Sequence, residues 1–388
     1  MKILHVCLAN YYADNHSYQE NILPIEHKML GYDVEILAST ETFNDQNILD
    51  YTKHGKYYTK DGILVTRIQY AKFFPFYIKK KLRLYQNLTK EMERSNPDII
   101  FIHDVQFASA FELVRYIKKK RKEKVVKVFA DCHADFTNSA RNWLSYYILH
   151  KLFYKKCAMK LNEVVDKFWG VLPDRVKFLN KVYGVPEDKI DLLNLGIESK
   201  WMDVSNQKDI IKILRKKLNF PNDDFLICTG GRIDKFKKNT LELMLEFKNF
   251  KAKNAKLLIF GTIADYLRSD FDKILKEDER IKYLGFIKPE VVNEIIISSD
   301  IGIFLGRHSV IWEQSVGLGL PLILGYGNTV NHLNHNENIK FASTASNAIT
   351  ILNEEILNKN FLVIKKRALA DSRFNFSYRN IASKSLTI

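Results

Sequence analysis

The sequence predicts an α/β protein built from two doubly wound domains in tandem. Three observations predict it. Short, almost continuously apolar runs alternate with longer stretches of helical spacing, the pattern of parallel strands covered on both faces by crossover helices. The alternation breaks off near residues 196–206 and then restarts. The chain has 388 residues, room for two domains at about 150 residues each.

In the first half the candidate strands are "KILHVCL" (2–8), "DVEILAS" (33–39), "ILVTRIQ" (63–69), "DIIFIH" (98–103), "VVKVFAD" (125–131) and "FWGVL" (168–172). Each is short and rich in β-branched or aromatic residues. Helical spacing fills 17–30, 77–95, 107–120 and 140–165. After the linker come "DFLICTGG" (224–231), "AKLLIFG" (255–261), "IKYLGF" (281–286), "DIGIFLG" (300–306) and "LPLILG" (320–325), with helical stretches at 238–252 and 264–277. Ligands of such sheets bind beyond the carboxyl ends of the strands, and two facing domains are expected to hold a site in the cleft between them.

The net charge of +15 predicts anionic partners: nucleic acid, an acidic membrane face or phosphorylated substrates. The chain has no recognition-helix signature, RNP motif or zinc finger, so nucleic acid is not expected. The densest basic runs are "YIKKKLRLY" (77–85) and "YIKKKRKEK" (116–124). Such runs are ordinarily solvated helix faces. The first, with Lys79, Lys80, Lys81 and Arg83, follows "FFPF" (73–76). Aromatic residues beside lysines suit a membrane interface, so 73–85 is read as a docking segment for an anionic membrane surface. Four scattered cysteines without a C-x-x-C fit free thiols in the cytosol. No apolar run approaches the roughly 18 residues of a spanning helix, and the N-terminal stretch reads as a first strand, not a signal peptide.

Two segments carry chemistry. "LICTGGRIDKFKKNTLELMLEF" (226–247) is a strand, a Gly-Gly turn, a basic loop and a helix. Gly230 and Gly231 let backbone approach a ligand, and Arg232 and Lys237 supply charge for a phosphate. It is neither a Walker loop nor a G-x-G-x-x-G turn. In "DIGIFLGRHSVIWEQSVGLGLP" (300–321) a strand leads through "GRHS" (306–309) into a very short helix. Ser309 is the expected N-cap, the amides after it would face an anion, and Gly317 or Gly319 ends the helix. Glu313, about one turn inside, is placed to accept hydrogen bonds from a ribose diol. The plainer reading is an exposed helix glutamate favoured by the helix dipole.

Taken in order, "GGR….K", "GF" (Gly285, Phe286) and "E…..GLP" resemble the retaining nucleotide-sugar glycosyltransferases of the GT-B fold, family 4. "LLNLGIES" (192–199) is similar to the segment that ends the first domain of that family, and "FNFSYRNIASKSL" (374–386) to its closing helix. The resemblance implies two Rossmann-like domains: an acceptor-binding domain over 1–197 and a nucleotide-sugar-binding domain over 198–373. A helix over 374–388 would cross back to the first. It implies that Arg232 and Lys237 hold the donor diphosphate, with Gly231 beside them, and stabilise the charge of the leaving group. It puts Phe286 and Ile287 at the base, Arg307, His308, Ser309 and Val310 at sugar or phosphate, and Glu313 at the ribose. His133 in "FADCHADF" would stand near the transferred sugar, with His103, Asp104 and Asp135 close by. The loop 10–19, including Tyr12, Asn15, His16 and Ser17, would shape the acceptor side. It lacks the family's usual glycines.

The family ordinarily carries two glutamates. Glu313 is the second, and Leu305 stands where the first is expected, so donor identity is open and Arg307 and His308 are candidates to fill the gap. No cofactor and no metal are expected. "DFD" (270–272) falls in a helical pattern, where alternate side chains diverge. The resemblance implies a UDP- or GDP-linked sugar donor and a glycan or lipid-linked acceptor. With the composition of an AT-rich bacterial genome, it implies capsule or lipopolysaccharide synthesis at the inner face of the cell membrane. A non-hydrolysing nucleotide-sugar 2-epimerase has the same architecture, with Asp104, Asp131 and Asp135 available for proton transfer. A basic nucleic-acid-binding protein is the remote third reading.

Overall fold

The structure, a computed structural model, describes residues 1–14, 16–43, 48–73, 75–136, 143, 145–221, 224–325, 328–335, 337–357 and 374–388. The chain divides into two compact units: Met1–Asn194 with Ile381–Ile388, and Leu195–Asn380. The divisions fall at Asn194 and Asn380, whereas the sequence placed them at 197 and 373. Ile197 belongs with the second unit because its N–H donates to Phe376 O at 2.8 Å and its carbonyl accepts from Tyr378 N at 3.0 Å.

The first unit holds strands β1 Lys2–Cys7, β2 Asp33–Ser39, β3 Glu41–Phe43, β4 Leu49–Tyr51, β5 Gly55–Tyr58, β6 Leu64–Ile68, β7 Ile99–Ile102, β8 Lys127–Cys132, β9 Lys167–Gly170 and β10 Ile190–Leu192. Eight form one sheet in the order β10-β9-β8-β7-β1-β2-β6-β5, and β3 pairs with β4 apart from it. Its pairings are parallel except that of β5, which runs antiparallel to β6 at the edge. β7 is buried along its whole length, as its unbroken IIFI predicts. The strand order reverses between β1 and β7, so the loops after these strands open at a switch point.

Two helical stretches depart from the single helices their spacing predicts. The stretch 77–95 is two helices, Phe76–Leu82 and Leu88–Ser95. Arg83 (φ 54°) and Asn87 (φ 62°) take left-handed backbone between them, which a continuous helix cannot accommodate. The described part of 140–165 runs as a π-helix over Ser145–Tyr154 and an α-helix over Lys155–Asn162.

The second unit is a six-stranded, wholly parallel sheet: β11 Phe225–Gly230, β12 Ala255–Phe260, β13 Ile281–Tyr283, β14 Ile301–Phe304, β15 Leu322–Gly325 and β16 Ile339–Ala342. The order β13-β12-β11-β14-β15-β16 puts its switch point between β11 and β14. Helices Asn239–Glu246 and Asp265–Leu275 cover one layer of core around Phe247 and Phe271. Asp270 and Asp272 lie on the second of these helices, where Asp272 pairs with Arg268 at 3.0 Å.

Candidate functional site

In the second unit the loops after β11, β12 and β13 touch through their backbones. Gly261 N donates to Gly285 O at 2.8 Å, and Gly231 N to Phe260 O at 2.9 Å. Gly231 (φ +106°) and Gly261 (φ +113°) use backbone that other residues rarely adopt. Space demands glycine as well: a Cβ on Gly261 would lie 2.0 Å from Gly231 O, and one on Gly231 2.5 Å from Lys237 Nζ. The Lys237 ammonium is thus held against the turn, 3.3 Å from Gly230 O. Burial lowers its pKa, with Asp234 opposing that shift. The Arg232 side chain is 81% exposed and only loosely paired, 3.8 Å from Asp234. Phe286 is 74% exposed, while Ile287 packs on the core.

Across the switch point, the loop 306–309 after β14 lies against the β11 loop. Arg307 N donates to Phe236 O at 3.1 Å, and its guanidinium sits 5.2 Å from the Phe236 ring centre. A Cβ on Gly306 would lie 2.8 Å from both Phe236 O and Lys237 Cγ. The short helix is Ile311–Gly317, with Val310 and not Ser309 as its N-cap and no side-chain cap bond. Ser309 contributes its carbonyl, which accepts from Trp312 N at 2.9 Å. Gly319, at φ +75°, ends the helix.

Glu313 is fully buried, against the plainer expectation of an exposed helix glutamate. His308 Nε2 donates to its Oε1 at 2.7 Å, and His332 Nε2 lies 3.5 Å from the same oxygen. Burial pushes the carboxyl up, but the two histidines outweigh it and hold it at about 2. Among the described residues, nothing hydrogen-bonds to the buried Glu313 Oε2. An anionic oxygen in that state costs free energy until a donor reaches it. His332 belongs to no motif, which is why the sequence missed it. Leu305 packs against the apolar core.

In the first unit the ends of β7 and β8 gather His103, Asp104, Asp131, His133 and Asp135. His103 Nδ1 donates to Asp131 Oδ2 at 2.8 Å, and Asp104 N to Asp131 Oδ1 at 2.9 Å. His133 Nε2 stands 3.5 Å from the same Oδ1, and Arg175 Nε 3.4 Å from Asp135 Oδ2. Burial alone would lower the His133 pKa; Asp131 overrides it and raises it to about 9. Asp131 is held well below the usual carboxylate range by His103 and His133 despite its burial, and burial raises Asp104. Asp104, at φ 64°, presents its N–H to Asp131 by taking left-handed backbone.

The loop after β1 is divided. Tyr12 is buried, with the Arg67 guanidinium 4.9 Å from its ring centre and its carbonyl accepting from Arg67 at 2.8 Å. His16 and Ser17 are half-buried, and Asn15 lies outside the described residues.

The two basic runs differ. In the second, Lys118, Lys119, Lys120, Arg121 and Lys124 pair with Glu163, Glu93, Glu123, Asp166 and Asp98, a solvated face knitted to acidic neighbours. In the first, Phe73 is 95% and Tyr77 71% exposed beside Lys79 and Lys81. Arg83 departs from the expected surface cluster: it turns inward and donates to Gln106 O at 3.3 Å.

No protein-family model matches the sequence, and no curated protein matches it. Solved structures do match over almost the whole chain. A glycosyltransferase from Rickettsia africae is 16% identical with a TM-score of 0.66, covering 99% of this chain and 96% of that one. The Anabaena protein HepE in complex with UDP is 13% identical with a TM-score of 0.67, covering 99% and 98%. The UDP-GlcNAc 2-epimerase of Neisseria meningitidis, bound to UDP-GlcNAc, is 12% identical with a TM-score of 0.62, covering 99% and 98%. At these identities the likeness establishes the architecture, and the chain has the GT-B fold.

Proposed function

We propose that this protein is a glycosyltransferase that binds a nucleoside-diphosphate sugar at the switch point of its second unit. The observation that carries this is the pairing of a glycine-lined turn holding Lys237, after β11, with the buried Glu313 on the short helix after β14; the Glu313 Oε2 has no donor among the described residues. One end of that arrangement suits a diphosphate and the other suits ribose hydroxyls. The relatives in fold that bind UDP or UDP-GlcNAc support a nucleotide-linked donor, UDP- or GDP-linked. In this reading Arg232 and Lys237 neutralise the diphosphate as it leaves. The acceptor, a glycan or lipid-linked glycan in bacterial capsule or lipopolysaccharide synthesis, meets the His133 side of the first unit. Membership of family 4 and transfer with retention are part of the proposal.

The epimerase is the second reading, because such an enzyme has this fold. Its need for a free carboxylate base is poorly met here. Both Asp131 oxygens already accept hydrogen bonds, Asp104 accepts from Val105 N and Gln106 Nε2, and Asp135 pairs with Arg175. A thermal-shift panel of nucleosides, nucleoside diphosphates and nucleotide sugars tests the proposal. One nucleoside diphosphate and its sugar conjugate should raise Tm by several degrees. No response to any of them overturns it, and epimer formation without an acceptor selects the second reading.

The exposed Phe73 and Tyr77 beside Lys79 and Lys81 support docking of the first unit at the inner face of an anionic membrane. Lys79→Glu with Lys81→Glu should abolish co-sedimentation with phosphatidylglycerol-containing vesicles. Unchanged binding would remove the membrane from the proposal. Lys80 and Arg83 are left intact, since they hold Tyr51 and Gln106.

A further inference from the structure

Behind the first unit's cluster lies a chain of buried imidazoles that the proposed chemistry does not use. His103 Nε2 meets His5 Nδ1 at 2.9 Å, and His5 Nε2 meets His27 Nδ1 at 3.0 Å. His27 Nε2 then reaches Ala382 O at 3.1 Å and Ser385 Oγ at 3.0 Å. All three rings are fully buried, with the Phe101 ring beside each. The chain therefore runs from the Asp131 carboxylate, through three rings, to the segment Ile381–Ile388.

Proton counting limits how this chain can be arranged. Both ends are acceptors: the Asp131 carboxylate and the Ala382 carbonyl. Four junctions each need one proton, and three neutral imidazoles carry only one each. Ser385 can supply the missing proton only by turning its hydroxyl to His27. The His27 Nε2 lies 3.1 Å from the Ala382 carbonyl, which can only accept, so the proton belongs on Nε2; the Ser385 hydroxyl, 2.8 Å from the same carbonyl, is placed to donate there and to accept from His27. With Nε2–H on His27 and on His5, each ring's Nδ1 accepts from the next, and the fourth proton falls on the ring beside the carboxylate.

We propose that His27 and His5 are positioning residues that, anchored on Ala382 and Ser385, keep His103 as an imidazolium and so fix Asp131 as a carboxylate shared by two cationic histidines, His103 and His133. Burial, the largest effect on both, favours the neutral form of His5 and of His27, which agrees with this placement. Among the described residues, Glu20, Arg175 and Asp104 also act on His133. They are present whichever way the chain is polarised.

Nitrogen-15 NMR of histidine-labelled full-length protein at pH 7 tests this. His103 should carry protons on both nitrogens, and His5 and His27 should be Nε2–H tautomers. A singly protonated His103 with Nδ1–H tautomers at His5 and His27 overturns the proposal. Ser385→Ala should keep the wild-type pattern, because Ser385 only accepts; loss of the second His103 proton in that variant also overturns it. His27→Phe removes the far acceptor, so His103 should become neutral and the His133 midpoint should rise by roughly one pH unit. A folded His27→Phe protein with an unchanged His103 breaks the link. Should that variant not fold, the wild type and Ser385→Ala decide.

Discussion

Glu313→Gln should raise the dissociation constant for the preferred nucleoside diphosphate roughly 10- to 100-fold. That corresponds to about 1.5–3 kcal/mol for hydrogen bonds to a charged acceptor. The substitution keeps shape and removes the charge that His308 and His332 surround. The 2′,3′-dideoxy nucleotide is the control that gives this result its meaning. It lacks the hydroxyls assigned to Glu313, so wild type and variant should bind it alike, and calorimetry on the four combinations isolates the contact. An equal loss for both nucleotides would mean that Glu313 only supports the fold around His308.

Lys237→Ala should lower kcat by about 10²–10³ while nucleoside binding stays close to wild type, because a leaving diphosphate gains charge that the bound donor does not yet have. Lys237→Arg should recover only part of the loss. The ammonium fits where a Cβ of residue 231 would otherwise be, and the larger guanidinium does not fit that space. A KM effect without a kcat effect would assign Lys237 to ground-state binding alone.

Much of this arrangement was legible in the sequence where local chemistry decides it. "IIFI" and "LICTGG" announce buried parallel strands, and Gly230-Gly231 followed by the charged Arg232 announces a tight turn. What was illegible depends on contacts distant in sequence. Strand β5 is a short polar edge, GKYY, with no apolar run to mark it. The break at Arg83 and Asn87 carries no glycine or proline. Glu313 was read as a ribose-binding carboxylate, but its complete burial was not legible, because the two histidines that enclose it come from the preceding loop and from 19 residues later, at His332. The His5–His27–His103 chain was invisible for the same reason. Each ring sits on a different element, and nothing local distinguishes these histidines from others in the chain.

The return of residues 381–388 to the first unit makes that unit discontinuous in time as well as in sequence. During synthesis the ribosome delivers 194 residues of it, then the whole second unit, before the last piece arrives. Until then His27 lacks Ala382 and Ser385, and the Trp169 indole lacks the Ser385 carbonyl that accepts its N–H at 3.0 Å. The first unit must therefore wait, with a polar seam open in its core, while its neighbour folds. A chain stopped at residue 380 should be cut by a protease faster than one that carries Ser385.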